Sequence, residues 1–123
     1  EEKTNIKINE SENMVNPVSN KKVLKYFGGS HCPHSNKNSI MYKLVNEDFR
    51  NFIKENNLNC DIEIYWSGES SEEVFKLANA KYVPTLTNGN FNHVDFKLSK
   101  EQIGNNTGKD LDNIAFLNIN NKL

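Results

Sequence analysis

The chain has 123 residues, of which 36 % are hydrophobic and 25 % are charged, and its formal net charge is -1. This length supports one hydrophobic core and is short for two ordinary domains. The charge balance lacks the basic excess that binding to a phosphate backbone requires, so we expect no nucleic-acid partner. No apolar run reaches the roughly 20 residues of a membrane-spanning helix. We therefore expect a soluble, monomeric domain without membrane insertion.

The first 20 residues are polar and show no helical or strand periodicity. They are predicted to form a flexible arm before a single domain over residues 21–123. The sequence begins at Glu1 rather than at an initiator Met. Prior removal of a leader, an anchor or a tag is therefore left open, and the cellular compartment is unknown.

A strand and a helix are predicted on either side of a glycine pair. The apolar run over residues 23–27 ends at Gly28-Gly29, which predicts a central strand. Pro33 predicts the start of a helix, because proline is favoured at the first helical position. Apolar side chains then recur at spacings of three and four, which predicts one long or once-broken helix that ends near residues 56–57. The expected buried face comprises Ile40, Met41, Leu44, Val45, Phe49, Phe52 and Ile53.

The second half of the chain alternates strands and short helices. Residues 60–66 are rich in strand-forming side chains, and Ser70 or Ser71 is placed to cap a helix over residues 72–80. Strands over residues 85–87 and 91–98 are joined at Asn88-Gly89, a dipeptide typical of a tight hairpin turn. Residues 99–102 have the spacing of a capping box, and Asp110 is predicted to cap a final helix over residues 110–117.

This order of elements, βαβαββα, predicts an α/β fold. Strands that alternate with helices favour parallel pairing through crossover connections, and the hairpin adds an antiparallel strand. We expect a mixed four-stranded sheet with helices on both of its faces.

Cys32 is the candidate catalytic residue. A thiolate is the reactive form of cysteine, and backbone N–H groups at the start of a helix favour it. Cys32 directly precedes Pro33 at the carboxyl end of a predicted strand, the edge at which α/β sheets bind ligands. A partly cationic His34 in the same turn would favour the thiolate further. The other cysteine, Cys60, opens an apolar strand and is predicted to be buried and inert.

Other histidines and aromatic residues have plainer interpretations. His31, Cys32 and His34 lie within four residues without an evident fourth ligand, so no metal site is predicted. His93 is expected at the surface, and Tyr65-Trp66 is expected to pack against the sheet.

The motif Cys32-Pro33-His34-Ser35 resembles the active site of the thioredoxin superfamily. Its members carry Cys-x-x-Cys or Cys-x-x-Ser after the first strand of a βαβαββα core, and Cys-Pro-His is similar to the bacterial periplasmic disulfide oxidases. The segment Tyr82-Val83-Pro84-Thr85 resembles the cis-proline loop that faces this motif. The resemblance implies a thioredoxin-like fold and a thiol-disulfide oxidoreductase. It also implies that Val83-Pro84 position cysteine-containing protein substrates beside Cys32.

The last third of the chain is also similar to glutaredoxins. Val83-Pro84, Asn88-Gly89, Ile103-Gly104-Asn105 and Asp110-Leu111-x-x-Ile114 follow the order of the glutaredoxin motifs, although Asn105 replaces a glycine. This resemblance implies glutathione as a possible co-substrate, held at Val83, Gly104 and Asp110. No other cofactor is implied.

Ser35 departs from the dithiol pattern. A second cysteine at this position attacks the mixed disulfide and releases the substrate, and a serine hydroxyl forms no disulfide. The chain is then either a natural monothiol protein resolved by an external thiol, or a form of a Cys-Pro-His-Cys enzyme in which serine replaces the second cysteine. The leading hypothesis is disulfide exchange with protein substrates through Cys32. The alternatives are a monothiol, glutaredoxin-like protein acting on glutathione mixed disulfides, and a redox-inactive binding module with the same fold.

Overall fold

The computed structural model describes residues 21–123 as an α/β structure around a three-stranded mixed sheet. The strands are β1 (Lys22–Gly29), β2 (Cys60–Ser67) and β3 (Thr85–Thr87), in the order β2-β1-β3. The helices are α1 (Ile40–Lys43), α2 (Arg50–Glu55), α3 (Glu72–Leu77), α4 (Lys100–Asn105) and α5 (Lys109–Asn120). The arm predicted for residues 1–20 lies outside the described residues.

The central strand β1 pairs with both of its neighbours. It runs parallel to β2 from Lys22↔Cys60 to Gly29↔Ser67 and antiparallel to β3. A parallel pair requires a crossover connection, and α1 and α2 lie within it. The parallel pair and the antiparallel third strand confirm the expected mixed α/β sheet.

The fourth strand predicted over residues 91–98 does not form, and a single bridge between Thr87 and His93 takes its place. The predicted two-residue turn is also wrong. The Asn88 side chain accepts hydrogen bonds from the N–H groups of Asn90 and Asn92, at 2.9 and 3.0 Å, so the chain turns over a wider loop. Beyond the bridge, alternate side chains still pack against the core, namely those of Val94, Phe96 and Leu98.

The first helix begins at Ile40 rather than at the predicted Pro33. The Asn36 side chain accepts from the N–H of Asn38 at 2.9 Å, and Ser39 caps the helix by accepting from the N–H of Tyr42 at 3.1 Å. These side chains take local backbone hydrogen bonds that would otherwise continue a helix from Pro33. A π-helical segment, Leu44–Phe49, joins α1 to α2, which ends at Glu55 close to the predicted end.

The core lies mainly between β1 and the helices on one face of the sheet. Its largest fully buried side chains include Tyr26, Phe49 and Phe116, and the rings of Phe49 and Phe116 lie 5.2 Å apart. On the other face, Phe75 of α3 packs edge-on against Phe27 at 5.2 Å. Helices therefore cover both faces, as expected.

Three details of the helices differ from the sequence expectations. Ile40, expected on the buried face of the first helix, is 89 % exposed. Helix α3 stops at Leu77, short of the predicted residue 80. Helix α5 starts at Lys109 after Gly108, so Asp110 lies in its first turn and is not its cap.

The capping box of Ser99 and Gln102 forms as predicted. Across residues 21–123, no helix is both long enough and apolar enough to span a bilayer.

Candidate functional site

Cys32 lies just beyond the carboxyl end of the central strand. It is half-buried and forms no disulfide. Its backbone N–H donates to the carbonyl of Gly29 at 3.1 Å, and its own carbonyl accepts from the N–H groups of Ser35 and Asn36 at 3.1 and 2.8 Å. Residues 32–36 therefore form one isolated turn, so the N–H groups of this turn, and not the end of a long helix, face the sulfur.

Two glycines at the end of β1 allow the Cys32 turn to approach the strand closely. A Cβ atom on Gly28 would lie 2.6 Å from the carbonyl oxygen of Ser35, closer than real Cβ contacts. A Cβ atom on Gly29 would lie 3.0 Å from Cβ of Cys32 and 3.4 Å from Cγ2 of Val83. Cys32 and Val83, about fifty residues apart in sequence, therefore both lie over the bare backbone of Gly29.

Ser35 is fully buried beneath this turn. Its Oγ accepts a hydrogen bond from the N–H of Gly29 at 2.9 Å, which directs the hydroxyl proton elsewhere. Its carbonyl oxygen accepts from the hydroxyl of Tyr26 at 2.6 Å. Ser35 is thus a hydrogen-bonded part of the site and not an open position.

The surroundings of Cys32 favour its thiolate form. A hydrogen bond from the Ser35 side chain, followed by those from the backbone N–H groups of His34 and Ser35, lowers the pKa of the Cys32 thiol below its ordinary value. Donors that point at a sulfur stabilise negative charge on it. The tuning role predicted for the His34 imidazole, which is exposed, stays a prediction.

Tyr26 supports the site from the core side and was missed by sequence reasoning. Its side chain is fully buried, and burial raises the pKa of its hydroxyl to about 12. The neutral hydroxyl remains a donor to Ser35 across the ordinary pH range. The only sequence signal for this role was a polar atom on an apolar strand, which must find a partner when buried.

The second predicted motif lies at the start of β3. The peptide bond between Val83 and Pro84 is cis. The Thr85 hydroxyl donates to the carbonyl of Tyr82, and the Tyr82 side chain is 84 % exposed. Three of the predicted substrate-binding residues are half-buried, namely Val83, Pro84 and Thr85.

An apolar groove, which we call the Pro84 groove, opens beside the Cys32 turn. Its volume is about 580 Å³. Pro33 and His34 contribute to it from the Cys32 turn, and Pro84 and Phe96 contribute from the last third of the chain. The remaining lining residues belong to the start of the first helix, namely Asn38, Ser39, Ile40, Met41 and Leu44.

Cys60 lies at the opposite end of the sheet from Cys32. It is buried and pairs with Lys22 at the start of β1, and burial raises the pKa of its thiol to about 11. The end of β1 beside Cys60 and the end near Cys32 lie about 23 Å apart, since β1 has eight residues that rise ~3.3 Å each. The prediction of a buried Cys60 is confirmed.

Two of the residues expected to hold glutathione, Gly104 and Asp110, form no hydrogen bond to the Cys32 site among residues 21–123. Gly104 lies in α4 with open space around it, and the N–H of Asp110 donates to the carbonyl of Thr107. Their role stays a prediction. Within the described part of the chain, no group of three His, Cys, Asp or Glu side chains is placed to hold a metal ion.

Comparisons with models of known protein families, with curated proteins and with solved structures found no match for this chain.

Proposed function

We propose that the chain is a thiol-disulfide oxidoreductase with a thioredoxin-like arrangement, in which Cys32 is the attacking thiol. The observation that carries the proposal is the approach of Cys32 and Val83 to the same side of Gly29, with a hydrogen bond from the Ser35 side chain to the sulfur. The parallel pairing of β1 with β2 and the antiparallel pairing of β1 with β3 support the same arrangement.

The first step is the attack of the Cys32 thiolate on one sulfur of a substrate disulfide. The substrate S–S bond breaks, a mixed disulfide between Cys32 and the substrate forms, and the other sulfur leaves as a thiolate that takes a proton from water. The hydrogen bonds from Ser35 favour the thiolate form of the attacking sulfur. The backbone beside Pro84 and the Pro84 groove would hold the substrate chain during this attack.

Protein substrates are favoured by the character of the Pro84 groove. Most of the side chains that line it are apolar, and Ile40 at its edge is 89 % exposed. Apolar residues on either side of a substrate cysteine would lose contact with water there.

The monothiol alternative is supported by the positions of the two cysteines. The chain contains only Cys32 and Cys60, and Cys60 is buried at the far end of the sheet. A mixed disulfide on Cys32 therefore requires an external thiol for its release. We include this external step in the proposed reaction.

The proposal is tested by titrating the alkylation rate of Cys32 with pH and by incubating the chain with a disulfide-bonded peptide. We expect an apparent pKa below that of free cysteine, about 8.5, and a mixed disulfide mapped to Cys32 by mass spectrometry. The Cys60→Ala variant should behave in the same way, and Cys32→Ala should form no adduct. An unshifted pKa with no adduct would instead favour the redox-inactive binding module.

A further inference from the structure

A second cavity lies on the β2 side of the Cys32 turn, away from β3. It has a volume of about 150 Å³ and is lined by Ser30, Asn36, Lys37, Asn38, Trp66 and Glu69. We call it the Trp66 cavity. Its lining is polar except for one aromatic wall, in contrast to the apolar Pro84 groove. The proposed attack of Cys32 on a protein disulfide makes no use of it.

The wall and the polar groups of the Trp66 cavity are held in place by their neighbours. The Trp66 ring packs against the rings of Tyr26 and Tyr42 at 6.0 and 5.2 Å. The Ser30 hydroxyl donates to Oε2 of Glu69 at 2.7 Å, which ties the loop after β1 to the loop after β2.

The cavity carries charges of both signs. The Lys37 ammonium lies 5.9 Å from the centre of the Trp66 ring, and the Glu69 carboxylate lies on the β2 loop of the same cavity. A ligand with a carboxylate and an ammonium group side by side matches this pair of charges. A purely anionic or purely cationic ligand would place one of its charges beside a like charge.

The size of the cavity and its position beside the Cys32 turn limit the chemical class of the ligand further. A volume of 150 Å³ equals that of about five water molecules at roughly 30 Å³ each, and an α-amino-acid headgroup has five non-hydrogen atoms. Ser30 precedes Cys32 by two residues, which span at most about 7 Å. The N–H of Asn36 donates to the carbonyl of Cys32 at 2.8 Å. Two of the residues that line the cavity, Ser30 and Asn36, therefore lie beside Cys32.

We infer that the Trp66 cavity binds the α-amino and α-carboxyl groups of a small amino-acid thiol, of the free cysteine type, that releases Cys32 from its mixed disulfide. This inference rests on the proposed function, because it names the external thiol which that function requires. The headgroup carboxylate lies at Lys37 and its ammonium group at Glu69. The substrate chain occupies the Pro84 groove on the other side of Cys32.

The release takes two thiols and produces one small disulfide. The first small thiolate attacks the sulfur of Cys32 in the mixed disulfide, which forms a Cys32–small-thiol disulfide and frees the substrate as a thiolate. A second small thiolate attacks the small-thiol sulfur of that adduct, which frees the Cys32 thiolate and forms the symmetric small disulfide. The two small thiols are oxidised, and the substrate and Cys32 are returned in reduced form.

The reverse reaction provides the test, with the intact chain and a series of symmetric disulfides. The rate constant for the reaction of Cys32 is measured with cystine, cystamine, dithiodipropionate, hydroxyethyl disulfide and oxidised glutathione. Each value is divided by the rate constant for the reaction of the same disulfide with N-acetylcysteine, which serves as the reference thiol. We expect cystine to exceed hydroxyethyl disulfide by about three- to tenfold, since exposed ion pairs contribute little individually. The excess should shrink in 0.5 M salt because of screening.

Substitutions at Lys37 and Glu69 test whether these two charges cause the preference for cystine. Lys37→Gln and Glu69→Gln are both expected to reduce the ratio of cystine to hydroxyethyl disulfide to about twofold or less. Both side chains are exposed, so we expect these variants to fold. The matched controls Lys43→Gln and Glu55→Gln change exposed charges outside the cavity and should keep the full ratio.

The outcomes separate this inference from the function on which it rests. Equal normalised rates for all disulfides would overturn the inference and leave the proposed function intact. A preference for oxidised glutathione would do the same, because its charged ends lie far from its sulfur. A cystine preference that persists in both Lys37→Gln and Glu69→Gln would also overturn it. A Cys32 that reacts with none of the disulfides would overturn the proposed function itself.

Discussion

At the scale of single residues, Ser35 links the reactivity of Cys32 to the stability of the site. Ser35→Ala removes the hydrogen bond that contributes most to the lowered pKa of Cys32. We expect the midpoint of the pH-dependent alkylation of Cys32 to move upward. The buried N–H of Gly29 also loses its acceptor, which should cost about 1–3 kcal/mol of unfolding free energy in urea titrations.

A distant serine provides the control for this pair of effects. Ser99→Ala breaks the capping box of α4 and should cost about 1 kcal/mol while leaving the alkylation midpoint of Cys32 unchanged. If Ser35→Ala kept the wild-type midpoint, Ser35 would have no part in holding the thiolate.

Tyr26 makes the stability of the folded chain depend on pH in the alkaline range. Its pKa is about 12 in the folded chain and about 10 in an unfolded one, so the folded state keeps a proton that the unfolded state loses. The stability due to this difference is fully present below pH 10 and is lost as the pH rises toward 12. Tyr26→Phe should destabilise the chain by about 1–3 kcal/mol at pH 7, because the Ser35 carbonyl loses its donor.

Urea unfolding of wild type and Tyr26→Phe at pH 7.5 and pH 11 measures this dependence. The gap between the two curves should narrow at the higher pH, since only the wild type has the tyrosine proton to lose. Other groups that titrate in this range, such as Cys60, are common to both proteins and cancel. A gap of constant size would contradict the role of Tyr26.

At the scale of elements, the junction of β1 with the Cys32 turn depends on Gly28. In Gly28→Ala the new methyl group would lie 2.6 Å from the Ser35 carbonyl oxygen and 2.8 Å from the Trp66 ring. We expect a loss of about 1–3 kcal/mol from overpacking, measured by thermal or urea unfolding, and slower alkylation of Cys32 as the turn is displaced. Gly104→Ala meets no atom within 4 Å and should be neutral or stabilising by about 0.5–1 kcal/mol. Equal stability of the two variants would argue against close packing at Gly28.

The elements also show why some predictions from sequence were wrong. Proline at a first helical position favoured a helix from Pro33, but the side chains of Asn36 and Ser39 bind nearby backbone N–H groups and delay it to Ile40. The strand predicted over residues 91–98 does not pair beyond His93, although alternate side chains there still pack against the core. Pairing depends on how the Asn88 side chain shapes the turn, which the dipeptide Asn88-Gly89 alone does not predict.

At the scale of the whole molecule, the site was predictable in part because its two halves are local motifs. Cys32 follows a strand and two glycines, and Val83 precedes a proline and a strand, so each could be identified from its own neighbours. The burial of Ser35 and its contact with Tyr26 depend on how closely the turn approaches β1. The Trp66 cavity combines residues from strand β2 and from the loops that follow β1 and β2. Neither feature leaves a pattern in any one segment.

The placement of the two cysteines determines how the whole chain responds to oxidation. They lie near opposite ends of β1, which are about 23 Å apart. A disulfide requires Cα atoms within about 7 Å. Exposure to excess hydroxyethyl disulfide should therefore give one adduct, at Cys32, that persists after the reagent is removed and is released by dithiothreitol. Ser35→Cys should instead lose the adduct by forming an internal disulfide, since positions 32 and 35 lie within one turn. Intact-mass measurement distinguishes the two, and an internal disulfide in the wild-type chain would contradict the positions of Cys32 and Cys60 in this fold.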